Sequence, residues 1–219
     1  MNMALAGLAV LIIGDSHIAA TGFFNGPLHD ALVDRGAVVN SFGVCGSSAA
    51  NWITPAPIVC GRGERHNQDP AVIQNSRELR GWALSELIDK YKPDLVVIEL
   101  GDTMAGYGVT PKLPRAMITD QVEQLLIPIK AHNLPCAWVG PPWGTEGGPY
   151  RKTYTRVKEL SDLLSHIVAP CHYVDSLAFS QPGQWPTLDG VHLTSASNQQ
   201  WDNDVVRSLV QIAAGLHWR

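Results

Sequence analysis

Leu8-Ala9-Val10-Leu11-Ile12-Ile13-Gly14-Asp15-Ser16-His17 is the stretch that decides the reading of this chain. Its unbroken apolar run makes a strand covered on both faces, the mark of a parallel sheet, because a half-exposed strand alternates apolar with polar residues. Gly14-Asp15-Ser16 then turns the chain at the strand's carboxyl end, where a serine hydroxyl projects from the edge of the sheet. Alone, this turn is ordinary, and a serine in it is more often a cap than a nucleophile. The apolar stretch reaches back to residue 4. From 4 to 13 it is too short to span a bilayer and lacks a basic leader and a small-residue cleavage site, so we read it as the first buried strand.

Working outward, segments of the same kind recur at 37–42, 94–100, 136–140 and 172–174. Helical patterns separate them. Asn25-Gly26-Pro27 starts a helix with proline early in its first turn; Leu28, Ala31 and Leu32 form its apolar stripe, and Gly36 stops it. Leu84, Leu87, Ile88 and Tyr91 fall at helical spacing before Pro93. A third helix is expected over 114–132 with a kink at Pro128. Val157, Leu160, Leu164 and Ile167 mark a fourth. Thr194 can N-cap the last, with Trp201, Val205 and Leu209 facing inward. The alternation predicts a three-layer αβα sandwich around a five-stranded parallel sheet, one domain over residues 1–219. Four long connections, 43–74, 101–113, 141–149 and 177–193, all follow carboxyl ends of strands, the edge at which open α/β sheets bind ligands.

Composition narrows the function. The chain is 45% hydrophobic with a formal net charge of −4 and dispersed charges. Without a basic stripe, nucleic acid and anionic membrane surfaces are not expected as partners, and no transmembrane segment is expected. Neither a P-loop nor a G-x-G-x-x-G occurs, so no nucleotide site is assigned. His29, His66, His132, His166, His172 and His217 have no carboxylate or cysteine at ligand spacing, and no metal is expected. His17, next to Ser16, leaves the backbone in a different direction and is read as structural.

Asp189-Gly190-Val191-His192 lies in the last long connection, just before the final helix. In a tight turn this spacing lets a carboxylate and an imidazole face the same way. Asp189 would hold His192 at Nδ1 and leave Nε2 to deprotonate Ser16, since an unassisted hydroxyl is a poor nucleophile at neutral pH. A lone D-x-x-H is common in surface turns; the informative feature is a serine after the first strand paired with a D-x-x-H after the last.

On these residues the chain resembles the SGNH (GDSL-like) hydrolases from Gly14 to His192. The resemblance implies the flavodoxin-like strand order 2-1-3-4-5 and ester hydrolysis through an acyl-serine, with no cofactor. It also implies an oxyanion hole built from the backbone N–H groups of Ser16 and of Gly43, in Ser41-Phe42-Gly43-Val44. The family's third signature, Gly-x-Asn-Asp after the third strand, is altered here to Gly101-Asp102-Thr103-Met104, so Thr103 stands where the family's asparagine donates. A missing oxyanion donor typically costs ~2.7–4 kcal/mol of transition-state stabilisation. Either Thr103 substitutes, or Asn51 reaches in, or turnover is slow. Asp102 is expected to point away.

The expected substrate is an acylated small molecule or glycan, with O-acetyl foremost. The glycan part rests on Trp52, Trp143 and Trp185, which fall in loops on the active edge and offer flat faces to sugar rings, or else pack beneath those loops. The 144–148 glycine-rich stretch is expected to border the pocket. Alternatives are an O-acetyltransferase of the same fold and a non-catalytic glycan-binding protein. Of the four cysteines, Cys136 and Cys171 open two strands whose parallel neighbours would stand ~4.8 Å apart, within disulfide reach. Cys45 and Cys60 would then close the loop between them. Two bridges would indicate a periplasmic or secreted protein; four buried thiols would indicate a cytoplasmic one.

Overall fold

The computed structural model describes residues 5–19 and 26–216. Asn25, Ala4 and His217, each part of an expectation above, lie outside the described residues. In chain order the elements are β1 (Ala9–Gly14), α1 (Ser16–Ala19), α2 (Pro27–Val33), β2 (Val38–Val44), α3 (Ala49–Ile53), β3 (Arg62–His66) and β4 (Val72–Gln74). There follow α4 (Leu84–Tyr91), β5 (Leu95–Glu99), α5 (Arg115–Leu125), α6 (Ile127–Ala131), β6 (Cys136–Val139), α7 (Tyr154–Ile167), β7 (His172–Val174) and α8 (Ser195–Gly215).

The sheet has seven strands in the order β4-β3-β2-β1-β5-β6-β7. Its five parallel strands, β2-β1-β5-β6-β7, are the expected ones in the expected order. The correction is at one edge, where β3 pairs antiparallel with β2 and β4 with β3. Arg62-Gly63-Glu64-Arg65-His66 carries no apolar run, so the sequence between Gly43 and Gln74 reads as loop. The strand forms there because the free edge of β2 offers backbone partners, which need no side-chain signature.

Both faces of the sheet are covered at its centre, which is why β1 and β6 are apolar and β5 is apolar except for Glu99. Leu11, Ile13, Phe42, Val96, Ile98 and Trp138 face a core completed by α3 to α7. Their neighbours Val10, Ile12, Val39, Leu95, Val97 and Val139 face the other way, onto α2 and α8. Residues one apart on a strand thus serve opposite layers. The 114–132 helix is broken at Leu126, two residues before Pro128, which has no N–H to continue the ladder. Thr194 caps α8 by accepting from the Ser197 N–H.

Both disulfides form. Cys136–Cys171 ties the start of β6 to the residue preceding β7, with Cα atoms 4.6 Å apart. Cys45–Cys60 closes the loop that carries α3, at 5.4 Å. No helix among the described residues is long and apolar enough to cross a membrane.

Candidate active site

Ser16 opens α1 directly at the carboxyl end of β1. The turn is tight for a steric reason: a Cβ on Gly43 would run into the backbone of Ile18 and Ala19, so α1 lies flat against β2 only because residue 43 is glycine. Gly14 is pressed in the same way, between Ile18 and the carbonyl of Glu99.

The acid–base turn arrives from the far end of the sequence. The Asp189 carboxylate accepts from the backbone N–H of Val191 (3.1 Å) and of His192 (2.9 Å), and from His192 Nδ1 (2.7 Å). Burial raises the Asp189 pKa, but these bonds from His192 outweigh it and hold the carboxyl below its ordinary value. A carboxylate only accepts, so Nδ1 carries the imidazole proton and Nε2 presents a lone pair. Ser16 Oγ stands 2.8 Å from Nε2 and donates to it. The structure therefore brings Ser16, His192 and Asp189 into one hydrogen-bonded chain. Buried Val191 and Leu193 anchor the turn from below, and the Thr145 N–H donates to the Gly190 carbonyl from beside it.

The other residues named from the sequence fare differently. The Thr103 hydroxyl donates to the Ser47 carbonyl at 2.6 Å, so its one proton is engaged away from an oxyanion. The Asn51 carboxamide oxygen accepts from the Ser48 N–H and caps α3. The carboxylate of Asp102 is taken up by the Tyr107 hydroxyl at 2.6 Å and by Lys152 at 2.8 Å. Trp52 and Trp185, expected as sugar platforms, are 1% and 6% exposed and belong to the two cores. Their apolar area is worth more inside than at a wet rim, and the Trp52 indole N–H finds a buried partner in Ser47. Trp143 is partly buried and donates to the Leu177 carbonyl at 2.9 Å, fastening one loop to the next. The 144–148 stretch lies beside the acid–base turn, with Gly148 against the Asp189 carbonyl.

Three groups beside the site escaped the sequence reading. Lys152 is wholly buried, its ammonium held by Asp102 and by the Pro142 carbonyl; nothing in Arg151-Lys152-Thr153 distinguishes it from a surface lysine. Tyr150 lies edge-on to His192 with ring centroids 6.0 Å apart. Glu99, hidden in an apolar run, joins Asp15 and His17 in a cluster at most 1% exposed directly behind the serine. An acid interrupting a buried strand next to Gly-Asp-Ser was the available signal.

In that cluster His17 Nδ1 faces Asp15 at 3.1 Å and Glu99 at 3.7 Å. Burial lowers the His17 pKa, but the charges of Glu99 and Asp15 overcome it and raise the imidazole to about 9. Burial also raises Asp15, yet its hydrogen bond and attraction to His17 win and hold it low. Glu99 goes well above its ordinary value, by burial first and then by the charge of Asp15. One atom from each of the three lies within 4.8 Å of the others, a spacing that could hold a cation. Asp15 and His17 form a buried ion pair there, while Asp15 Oδ2, His17 Nε2 and Glu99 Oε2 have no hydrogen-bond partner among the described residues.

The fold and the arrangement at its rim define the class: this is the GDSL-like, or SGNH, hydrolase fold. Solved structures with it include a GDSL-like lipase from Bacteroides thetaiotaomicron, with TM-score 0.58 and 14% identity over 95% of this chain and 89% of that one. They also include Axe2, an acetylxylan esterase from Geobacillus stearothermophilus (0.59, 16%, over 97% and 96%). A third is the psychrotrophic esterase EstA from a Pseudoalteromonas species (0.57, 17%, over 93% and 97%). No protein-family model matches the chain. The chain belongs to the family of Protein BcsX from Komagataeibacter xylinus, to which it is 38% identical over 209 residues, covering 95% of this chain and 79% of that protein.

Proposed function

We propose that the chain is a serine ester hydrolase that removes small acyl groups, O-acetyl foremost, from a carbohydrate. The observation that carries this reading is the hydrogen-bonded line from Ser16 Oγ through His192 to Asp189. In the cycle we infer, Ser16 Oγ attacks the ester carbonyl while Nε2 takes its proton. Asp189 stabilises the imidazolium, and the proton passes to the leaving alcohol. Water then attacks the acyl-serine with the same base. The backbone N–H of Ser16 serves the oxyanion. Gly43, expected as a second donor, lies inside β2 opposite Gly63, in register with the hydrogen-bonded Cys45–Gly61 pair, so its N–H faces β3. Thr103 adds little because its hydroxyl is occupied.

The carbohydrate part no longer leans on the tryptophans, two of which are in the core. It is supported by the kinship in fold to acetylxylan esterases. Two disulfides support folding in an oxidising compartment, the periplasm or the exterior.

Hydrolysis of p-nitrophenyl acetate by the purified chain, abolished in Ser16→Ala and in His192→Ala, is the expected result. Equal rates in wild type and Ser16→Ala would refute the reading. The occupied Thr103 hydroxyl favours one rival, a glycan-binding protein without turnover, which would keep its glycan affinity in Ser16→Ala and show no esterase activity at all.

A further inference from the structure

We propose that the cleft beside His192, walled by Tyr150, is the subsite for the sugar ring of the alcohol, and that Tyr150 is the platform on which that ring lies. The proposal rests on the reading of Ser16 and His192 as nucleophile and base. Tyr150 is 48% exposed while its ring stands edge-on to His192, with planes at 74°. With Thr103, Tyr107, Val109, Pro149 and Arg151 it lines a cleft of about 520 Å³. A phenol ring held half in water beside His192 presents an open aromatic face against which an apolar sugar face can lie.

The ring is not there by slack in the loop. Gly147 and Lys152 exchange backbone hydrogen bonds of 2.8 and 3.1 Å around the turn that carries Tyr150. Lys152 is fixed below it by Asp102 and the Pro142 carbonyl, and Gly148 rests on the Asp189 carbonyl. The buried ion pair and the acid–base turn clamp the loop from two sides, so the exposed ring is preorganised, which lowers the entropic cost of stacking a ligand on it.

Chemistry selects the occupant. The alcohol oxygen must come within about 3 Å of Nε2 to receive its proton, and the Tyr150 ring centroid is 6.0 Å from that of the imidazole, so a pyranose attached to that oxygen reaches the platform. A sugar offers an apolar C–H face to the phenol and hydroxyls to its surroundings. The only carboxylate on the cleft wall, Asp102, is already engaged by Lys152 and Tyr107. Arg151 makes no ion pair among the described residues and supplies donors for the hydroxyls. A long acyl tail would need a wall of aliphatic side chains, and here Val109 and Pro149 stand among polar neighbours.

Two measurements test this. In the Ser16→Ala background, calorimetry with chemically acetylated xylotetraose is expected to show binding that weakens at least tenfold on adding Tyr150→Ala and is kept by Tyr150→Trp. With active enzyme, the ratio of kcat/KM for acetylated xylotetraose to that for ethyl acetate is expected to fall at least tenfold in Tyr150→Ala and to return in Tyr150→Trp. Equal loss on both esters, unchanged binding in the double variant, or no binding of the oligosaccharide by Ser16→Ala would overturn the subsite. If wild type hydrolyses neither ester, the esterase reading falls, and the binding series alone decides the subsite by the same two results.

Discussion

The Thr103 hydroxyl donates to the Ser47 carbonyl across 2.6 Å, joining the loop after β5 to the loop after β2 behind the nucleophile. The residue at the family's third-donor position therefore spends its proton on the scaffold. Thr103→Val is expected to lower kcat/KM for p-nitrophenyl acetate less than fivefold, while costing about 1 kcal/mol of stability through the carbonyl left unpaired. A 10²- to 10³-fold fall in kcat, the usual effect of deleting an oxyanion donor, would show instead that the hydroxyl turns to the substrate.

Asp189 holds three N–H groups of its own turn, one of them the imidazole's. Asp189→Asn keeps the shape but removes the charge that orients His192 and favours its protonated form. The expected outcome is a fall in kcat of about 10²- to 10⁴-fold with little change in KM. Steady-state kinetics showing a loss under tenfold would remove Asp189 from the mechanism.

The polar cluster under the serine makes stability depend on pH on the alkaline side. His17 is raised to about 9 from 6.5, so its contribution is complete below pH 6.5 and disappears as pH rises through 9. Asp202, raised from 3.8 to about 8 by burial against the opposing pull of His17, acts with the same sign over a lower window: its contribution is complete below pH 3.8 and is lost as pH rises through 8. His17 alone accounts for on the order of 3 kcal/mol between pH 6.5 and 9. Thermal unfolding at pH 6.5 and pH 9 should differ by roughly 10 °C in wild type, and by less in Asp202→Asn, which cannot ionise. A midpoint constant across that range contradicts the assignment.

The two disulfides close loops with sequence separations of 15 and 35. Loop entropy assigns about 3 kcal/mol to Cys45–Cys60 and about 4 kcal/mol to Cys136–Cys171. Replacing Cys136 and Cys171 by Ser should lower the unfolding midpoint by about 10 °C, and more than the Cys45/Cys60 pair does. The reverse order, or no change in denaturation with reductant, would speak against bridges formed in the native protein.

What the sequence reveals and conceals here follows from the range of each interaction. The five parallel strands are legible because a strand covered on both faces is apolar at most positions, and Asp189 and His192 are legible because their contact spans one turn. The β3–β4 hairpin is hidden because its pairing is made by backbone groups, while its side chains, Arg62 and Arg65 among them, read as solvent-facing loop. Trp52 and Trp185 show the limit of composition: a loop tryptophan is equally suited to a rim or to a core, and only the packing around it decides. The Asp102–Lys152 pair joins residues on different loops, a relation that no local pattern encodes.

The central claim, a serine activated by His192, is tested most directly with a fluorophosphonate probe on wild type beside Ser16→Ala and His192→Ala. Covalent labelling of wild type at Ser16, lost in Ser16→Ala and strongly slowed in His192→Ala, is the expected result. Folded wild type that takes up no label, or Ser16→Ala labelled at the wild-type rate, would contradict it.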